Sequence, residues 1–261
     1  MKSTDWPLVV VNGGNLLNPG WYNPSLAGII PAFSLAVSYS LAGIIPAREG
    51  LCDFFTSVAE ITILSLTPER RERLMYVLKN RQPDLTVVLE NVFDPHNISA
   101  VMRTCDAVGI QEISILNTRI PRHKKWGARS SSSAAKWLTV HQHDNAEECF
   151  KQLRQRFPLI LTTHLSSDAI SLYEIDFSQP VALVFGNEHS GVSDEIRAMA
   201  DGNFIIPQVG IIRSLNISVA CAVSLYEAYR QKNLAGHYDR QDLDNAMKKG
   251  LLEQWTLNPE E

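Results

Sequence analysis

The chain has 261 residues, 45% apolar and 20% charged, with a formal net charge of −4. That is one or two domains' worth of chain with enough apolar content for a real core, so fibrous and fully disordered classes are excluded. The mild acidity gives no global signal for nucleic acid. Four scattered cysteines (Cys52, Cys105, Cys149, Cys221) without a CxxC pair exclude a disulfide scaffold and a cysteine zinc site, and point to a reducing, cytoplasmic setting.

Residues 1–66 differ from the rest. No charged side chain occurs between Asp5 and Arg48, and the octapeptide SLAGIIPA occurs twice, at Ser25–Ala32 and Ser40–Ala47. Leu26 to Ala47 is uncharged and long enough to span a bilayer, but Pro31 breaks it, and Lys2 with Asp5 makes a poor signal peptide. The expectation is a low-complexity, poorly ordered extension over 1–66, with no membrane span, followed by one folded domain over 67–261.

Pro68 to Arg81 reads as a helix, with Thr67 as N-cap and a narrow stripe of Leu74, Val77 and Leu78. Its other face carries Arg70, Arg71, Arg73, Lys79 and Arg81, a candidate phosphate-facing surface. Strands are expected at 85–92, 112–116, 159–164, 181–186 and 203–207. Helices are expected at 97–109, 144–155, 193–200 and 214–232. Strands alternating with helices predict a parallel α/β sheet. The segment from Asn117 to Lys136 stands apart. It holds Arg119, Arg122, Lys124, Lys125, Arg129 and Lys136 with no acid, and reads as a loop that contacts RNA. His141 and His143 lack further ligands nearby and read as surface strand residues, so no metal site is expected.

Three segments pair a buried strand with a tight polar turn and a helix, the form that binds ligands at strand ends. They are ENVFDPHNISAVMRTCDAVG (90–109), LVFGNEHSGVSDE (183–195) and IPQVGIIRSLNISVACAVSLYEA (206–228). None contains a dinucleotide, P-loop, zinc-protease or nucleophile-elbow motif. Read singly, Asn97 and Ser214 are plausible helix caps, Arg103 pairs with Asp106 along its helix, and Glu188 is a turn acid.

Together, the three segments resemble the three motifs of the SPOUT superfamily of RNA methyltransferases, in its SpoU/TrmH branch. The resemblance covers about residues 68–240. It implies a SPOUT-type, mostly parallel sheet with a deep trefoil knot in the C-terminal half, flanking N- and C-terminal helices, and a homodimer. It implies S-adenosylmethionine as cofactor, held near Thr163, Gly186, Ile206 and Leu215. Asn97, Arg103, Glu188, Ser214 and Asn216 match the catalytic motif positions. Arg230 matches an RNA-contacting arginine, and Lys232 stands where arginine is common, keeping the charge but not the fork geometry. Arg213 stands where glutamine is frequent. The flanks ERRERLMYVLKNRQPDLTVVLENV and YEAYRQKNLAGHYDR are similar to those of branch members that methylate the 2′-oxygen of guanosine 18 in the tRNA D-loop. Ribosomal RNA, another tRNA position, or a non-catalytic RNA-binding role are the alternatives. A ribose hydroxyl must lose its proton to react. The resemblance implies Arg103 as the group that accepts it, aided by a substrate phosphate; a guanidinium holds its own proton tightly, so stabilising the developing alkoxide is the alternative role.

Overall fold

A computed structural model describes residues 66–123, 134–212, 214–240 and 243–256, with the backbone of 11–12 and 15–16. Contacts divide the chain into two compact units, one of residues 1–67 with 256–261 and one of 68–255. In the first, β1 (Val11–Asn12) pairs antiparallel with β2 (Asn15–Leu16). The expectations for the rest of 1–65 lie outside the described residues.

The second unit carries a seven-stranded parallel sheet. In chain order its strands are β3 (Leu85–Glu90), β4 (Glu112–Leu116), β5 (Thr139–His143), β6 (Leu159–Thr163), β7 (Ile170–Ser171), β8 (Val181–Phe185) and β9 (Gly202–Ile205). In space the order is β5-β4-β3-β8-β6-β9-β7. The helices are α1 (Pro68–Lys79), α2 (Pro95–Ala107), α3 (Ala134–Trp137), α4 (Ala146–Leu153), α5 (Asp194–Met199), α6 (Ile217–Leu234) and α7 (Asn245–Thr256). Every residue of β3 and β8 is buried. That is why β8 reads as an unbroken apolar run and β3 as a nearly continuous one, broken only by Thr86 and Glu90, rather than as alternating strands.

Alternation decides which helix each strand residue meets. Val87, Leu89, Leu183 and Phe185 pack with Ile98, Val101 and Cys105 of α2 and with Cys221, Leu225 and Ala228 of α6. Val88, Ala182 and Val184 face the other way, onto Cys149 and Phe150 of α4 and Ile196 of α5. Each such side chain contributes about 1.5–3 kcal/mol on burial. β3 is the central hinge of the topology. It pairs with β4 on one side and with β8 on the other, so the chain reverses direction across the sheet there. Clefts for ligands open at the carboxyl ends beside such a reversal.

Local signals place α2 tightly. Asp94, not Asn97, is its N-cap, accepting from the His96 amide at 2.8 Å, with Pro95 in the first turn. The helix stops where Gly109 takes φ +85°. A Cβ there would lie 2.3 Å from the Asn80 carbonyl oxygen, so no larger residue fits. Likewise Asn216, not Ser214, caps α6, accepting from the Ser218 amide at 2.8 Å. Ser193 caps α5 as expected.

Two bases expected on the RNA-facing surface belong to the interior. The Arg81 side chain is 0% exposed and pairs with Asp106 at 2.8 Å. It also donates to the carbonyls of Ile110 and Trp137, at 3.1 and 3.2 Å, and lies 5.3 Å from the Trp255 ring centroid. Asp106 is therefore the partner of Arg81. The Lys232 side chain is 0% exposed, with Nζ 2.6 Å from Asp84. A charge removed from water survives only with such partners, and neither residue can reach a phosphate. Arg81 lies just beyond α1, which ends two residues short of the expected helix, and its chain turns inward.

Candidate active site

The carboxyl ends of β6, β8 and β9 and the segment leading into α6 enclose a cleft of about 580 Å³. Thr163, Gly186, Ile206 and Leu215, the four positions expected to hold the cofactor, all line it, as do Glu188, Ser214 and Asn216. Phe185, Phe204 and Ile217 supply apolar wall.

The loop after β8 is a tight closure. Asn187 and Gly191 exchange backbone hydrogen bonds of 3.0 and 2.9 Å. Gly186 sits so close beneath that a Cβ would come within 2.2 Å of the Gly191–Val192 peptide. Gly191 takes φ +67°. Asn187 Oδ1 accepts from the amides of His189 and Ser190, at 2.9 and 3.2 Å. The two glycines are thus required by space and by backbone angle respectively.

Glu188 projects from this loop and joins the three motif segments. Its carboxylate accepts from the amides of Phe93 and Asp94, at 2.9 and 3.1 Å, and from Asn97 Nδ2 at 2.9 Å. Asn97 Oδ1 in turn accepts from Asn216 Nδ2 at 3.2 Å. Asn216 Oδ1 is spent on the Ser218 amide and hydroxyl, at 2.8 and 2.6 Å. Burial pushes the Glu188 carboxyl up, but the Phe93 amide, the Asn97 side chain and neighbouring amides outweigh it and hold the group below the usual glutamate value. It stands ionised at neutral pH as a fixed acceptor. The network fixes Asn97 and Asn216 at the cleft's edge.

Arg103 is not in that network, and it does not line the cleft. It lies on the exposed part of α2, six residues beyond Asn97, about 9 Å along the axis. Of the RNA-facing residues, Arg71 and Arg73 are exposed and Arg70 is half-buried on α1. Arg230 is exposed but donates through Nε and Nη2 to Glu227, at 2.9 and 2.8 Å. Lys124, Lys125 and Arg213 lie outside the described residues.

Three residues around the site were not singled out in the sequence. Glu90, 1% exposed at the end of β3, accepts from the Ser193 amide at 2.9 Å and so anchors the start of α5. Asn91, at φ +50°, accepts from the Arg119 amide at 2.9 Å through Oδ1. His164, lining the cleft beside Thr163, meets Arg197 Nη1 at 2.6 Å through Nε2. A guanidinium only donates, so that contact requires the Nδ1–H tautomer. The acid at the end of an apolar strand was the one legible hint, since a buried carboxylate must have a donor.

A parallel α/β sheet with a preformed strand-end cleft, closed by a glycine-bearing loop and an asparagine–glutamate network, defines an enzyme of the strand-end ligand-binding class. Residues 84–226 match the SpoU rRNA Methylase family. The tRNA (guanosine(18)-2′-O)-methyltransferase of Thermus thermophilus is 44% identical over 191 residues, 72% of this chain and 96% of that protein. The crystal structure of the Aquifex aeolicus TrmH/SpoU tRNA modifying enzyme superposes with a TM-score of 0.67 at 37% identity, over 72% of this chain and 95% of that one. The Streptomyces viridochromogenes SpoU methyltransferase AviRb, in complex with the cofactor AdoMet, superposes with a TM-score of 0.53 at 27% identity, over 58% and 59% of the two chains. The chain belongs to the SpoU methylase family.

Proposed function

We propose that the protein transfers a methyl group from S-adenosylmethionine to the 2′-oxygen of guanosine 18 in the D-loop of tRNA. The observation that carries this is the hydrogen-bonded chain Glu188–Asn97–Asn216, which draws all three motif segments to one cleft. The named tRNA enzyme of Thermus thermophilus, which the chain covers almost end to end, supports the substrate.

The cleft fits the cofactor. Its volume of about 580 Å³ lies in the range usual for small-molecule sites. Apolar wall from Phe204, Ile206 and Leu215 suits a purine, and Gly186 lets the Gly191–Val192 peptide close tightly against the strand end. When bound, S-adenosylmethionine supplies an electrophilic methyl group. The chain's own residues then have two tasks. Asn97 and Asn216, held by Glu188, orient the ribose at the cleft's edge, since an in-line displacement depends on alignment. Arg103 stabilises the oxyanion that develops as the hydroxyl proton passes to a substrate phosphate or to water, and Ser214 helps position the groups around the methyl.

The reading includes a deep trefoil knot in the C-terminal half, a cytoplasmic location and a homodimer. Val209, Ile211 and Ile212 are 108%, 100% and 74% exposed, and Val219 and Tyr226 of α6 are half-exposed. A patch of that kind on a folded chain calls for a partner, and a second copy is the partner the reading assigns. The test is methylation of an unmodified tRNA transcript by purified protein, with ribose-methylation mapping. Methyl at position 18 is expected. Labelling of a ribosomal fragment, with position 18 unmodified, overturns the substrate and leaves the enzyme class.

A further inference from the structure

The turn between β3 and α2 is tied down at nearly every backbone group it offers. The Asn91 carbonyl accepts from Asn187 Nδ2 at 2.8 Å. The Val92 carbonyl meets His123 Nε2 at 2.9 Å. The Phe93 and Asp94 amides both donate to Glu188, at 2.9 and 3.1 Å. Asp94 then caps α2. Side chains from two other loops thus brace four consecutive residues. Backbone held this firmly usually serves a side chain whose position matters.

The side chain mounted there is Phe93, and it is 67% exposed, whereas its neighbour Val92 is fully buried. The fold gains little from such a ring. Its surroundings are those of an RNA surface. His96, three residues further on, is exposed, and so is Arg119, whose amide is bonded to Asn91 Oδ1 at 2.9 Å. The carboxylate that holds the Phe93 amide also holds Asn97 and lines the cleft, so the Phe93 backbone stands one contact from it.

We propose that Phe93 is a stacking platform for the base of the acceptor nucleotide. The proposal rests on the reading of the substrate as RNA. A ribose 2′-oxygen reaches the cleft only if its nucleotide leaves the loop's own stack, and the freed base then offers a π-face to be covered. A phenyl ring already fixed in place covers it without further ordering of the protein. Stacking tolerates any base, so Phe93 acts on binding and ribose alignment, and base identity is read elsewhere.

The test compares Phe93→Ala, Phe93→Leu and Phe93→Trp on two tRNA transcripts. One has guanosine at position 18, and the other an abasic ribose there that retains its 2′-hydroxyl. On the guanosine transcript, Phe93→Ala and Phe93→Leu lose about tenfold in kcat/KM, and Phe93→Trp stays near wild type. On the abasic transcript the wild type is already lower, and Phe93→Ala loses no more. Equal losses on both transcripts overturn the stacking alone. A change of oligomeric state in Phe93→Ala also overturns it, by assigning the ring to a second copy. Failure of the wild type to methylate the guanosine transcript overturns the functional reading, and the stacking with it.

Discussion

A single carboxylate, that of Glu188, answers to donors from the turn before α2 and from Asn97, while it sits on the loop after β8. Replacing it with glutamine keeps the shape but loses the charge, and sets an amide donor against donors. Glu188→Gln should cost about 1–2 kcal/mol of stability, discounted because the group is partly open to water. The pH dependence has a definite sign. The fold lowers this carboxyl from its ordinary 4.5. Its contribution is therefore fully present above that value and is lost as pH falls through the lower, folded-state value. An acid titration followed by circular dichroism should show a shallower loss in the variant, and an identical slope would remove Glu188 from the account. Arg103 makes the opposite kind of prediction. It is exposed and outside the cleft wall, so Arg103→Ala should fold and bind cofactor normally while losing more than tenfold in rate, at least about 1.4 kcal/mol of transition-state stabilisation. A variant that keeps more than a tenth of the wild-type rate would make Arg103 a bystander.

At the scale of elements, α1 and α2 show how far patterning reaches. The apolar stripe of α1 was legible, and Leu74 and Leu78 are indeed its buried residues. β4 was legible to the residue, because Ile113 and Ile115 alternate with Glu112 and Ser114 in the period of a strand. β5 was read only through His141 and His143, as surface strand residues without bounds, since TVHQH offers no apolar run at the sheet's edge. α7 escaped too, with Gly250 and paired lysines diluting its pattern. The site was legible where spacing mattered. The four positions expected to hold the cofactor line one cleft, because Thr163 ends β6, Gly186 and Ile206 follow β8 and β9, and Leu215 leads into α6. The inward turn of Arg81 and Lys232 was invisible, because only tertiary structure supplies Asp106 and Asp84 as partners. The basic face of α1 is accordingly reduced to Arg70, Arg71, Arg73 and Lys79. Neutralising Arg70, Arg71 and Arg73 together should raise the KM for RNA and flatten its dependence on salt, since each lost phosphate contact removes counterion release. Cofactor affinity should not move. An unchanged salt slope would place the RNA on another face.

For the whole molecule, the proposed dimer rests on apolar side chains that a lone chain leaves in water. Val209→Asp with Ile212→Asp should turn a dimer into a monomer in sedimentation, because two carboxylates cannot be buried against a like surface unpaired. A wild-type protein that already sediments as a monomer would end the proposal. The sheet order has another consequence, for the making of the chain rather than its work. The centre of the sheet joins Leu85 to Val181 and Leu89 to Phe185, partners separated by nearly a hundred residues. During synthesis β3 can pair with β4 soon after both emerge, but its other edge stays bare until β8 arrives. At ribosomal speeds of about 5–20 residues per second that interval is on the order of five to twenty seconds. Through it, the unpaired edge of a mostly apolar strand is open to any passing chain. Nascent copies on one messenger are thus the molecules most at risk of mispairing, and a holdase that covers that edge would act before the cleft exists.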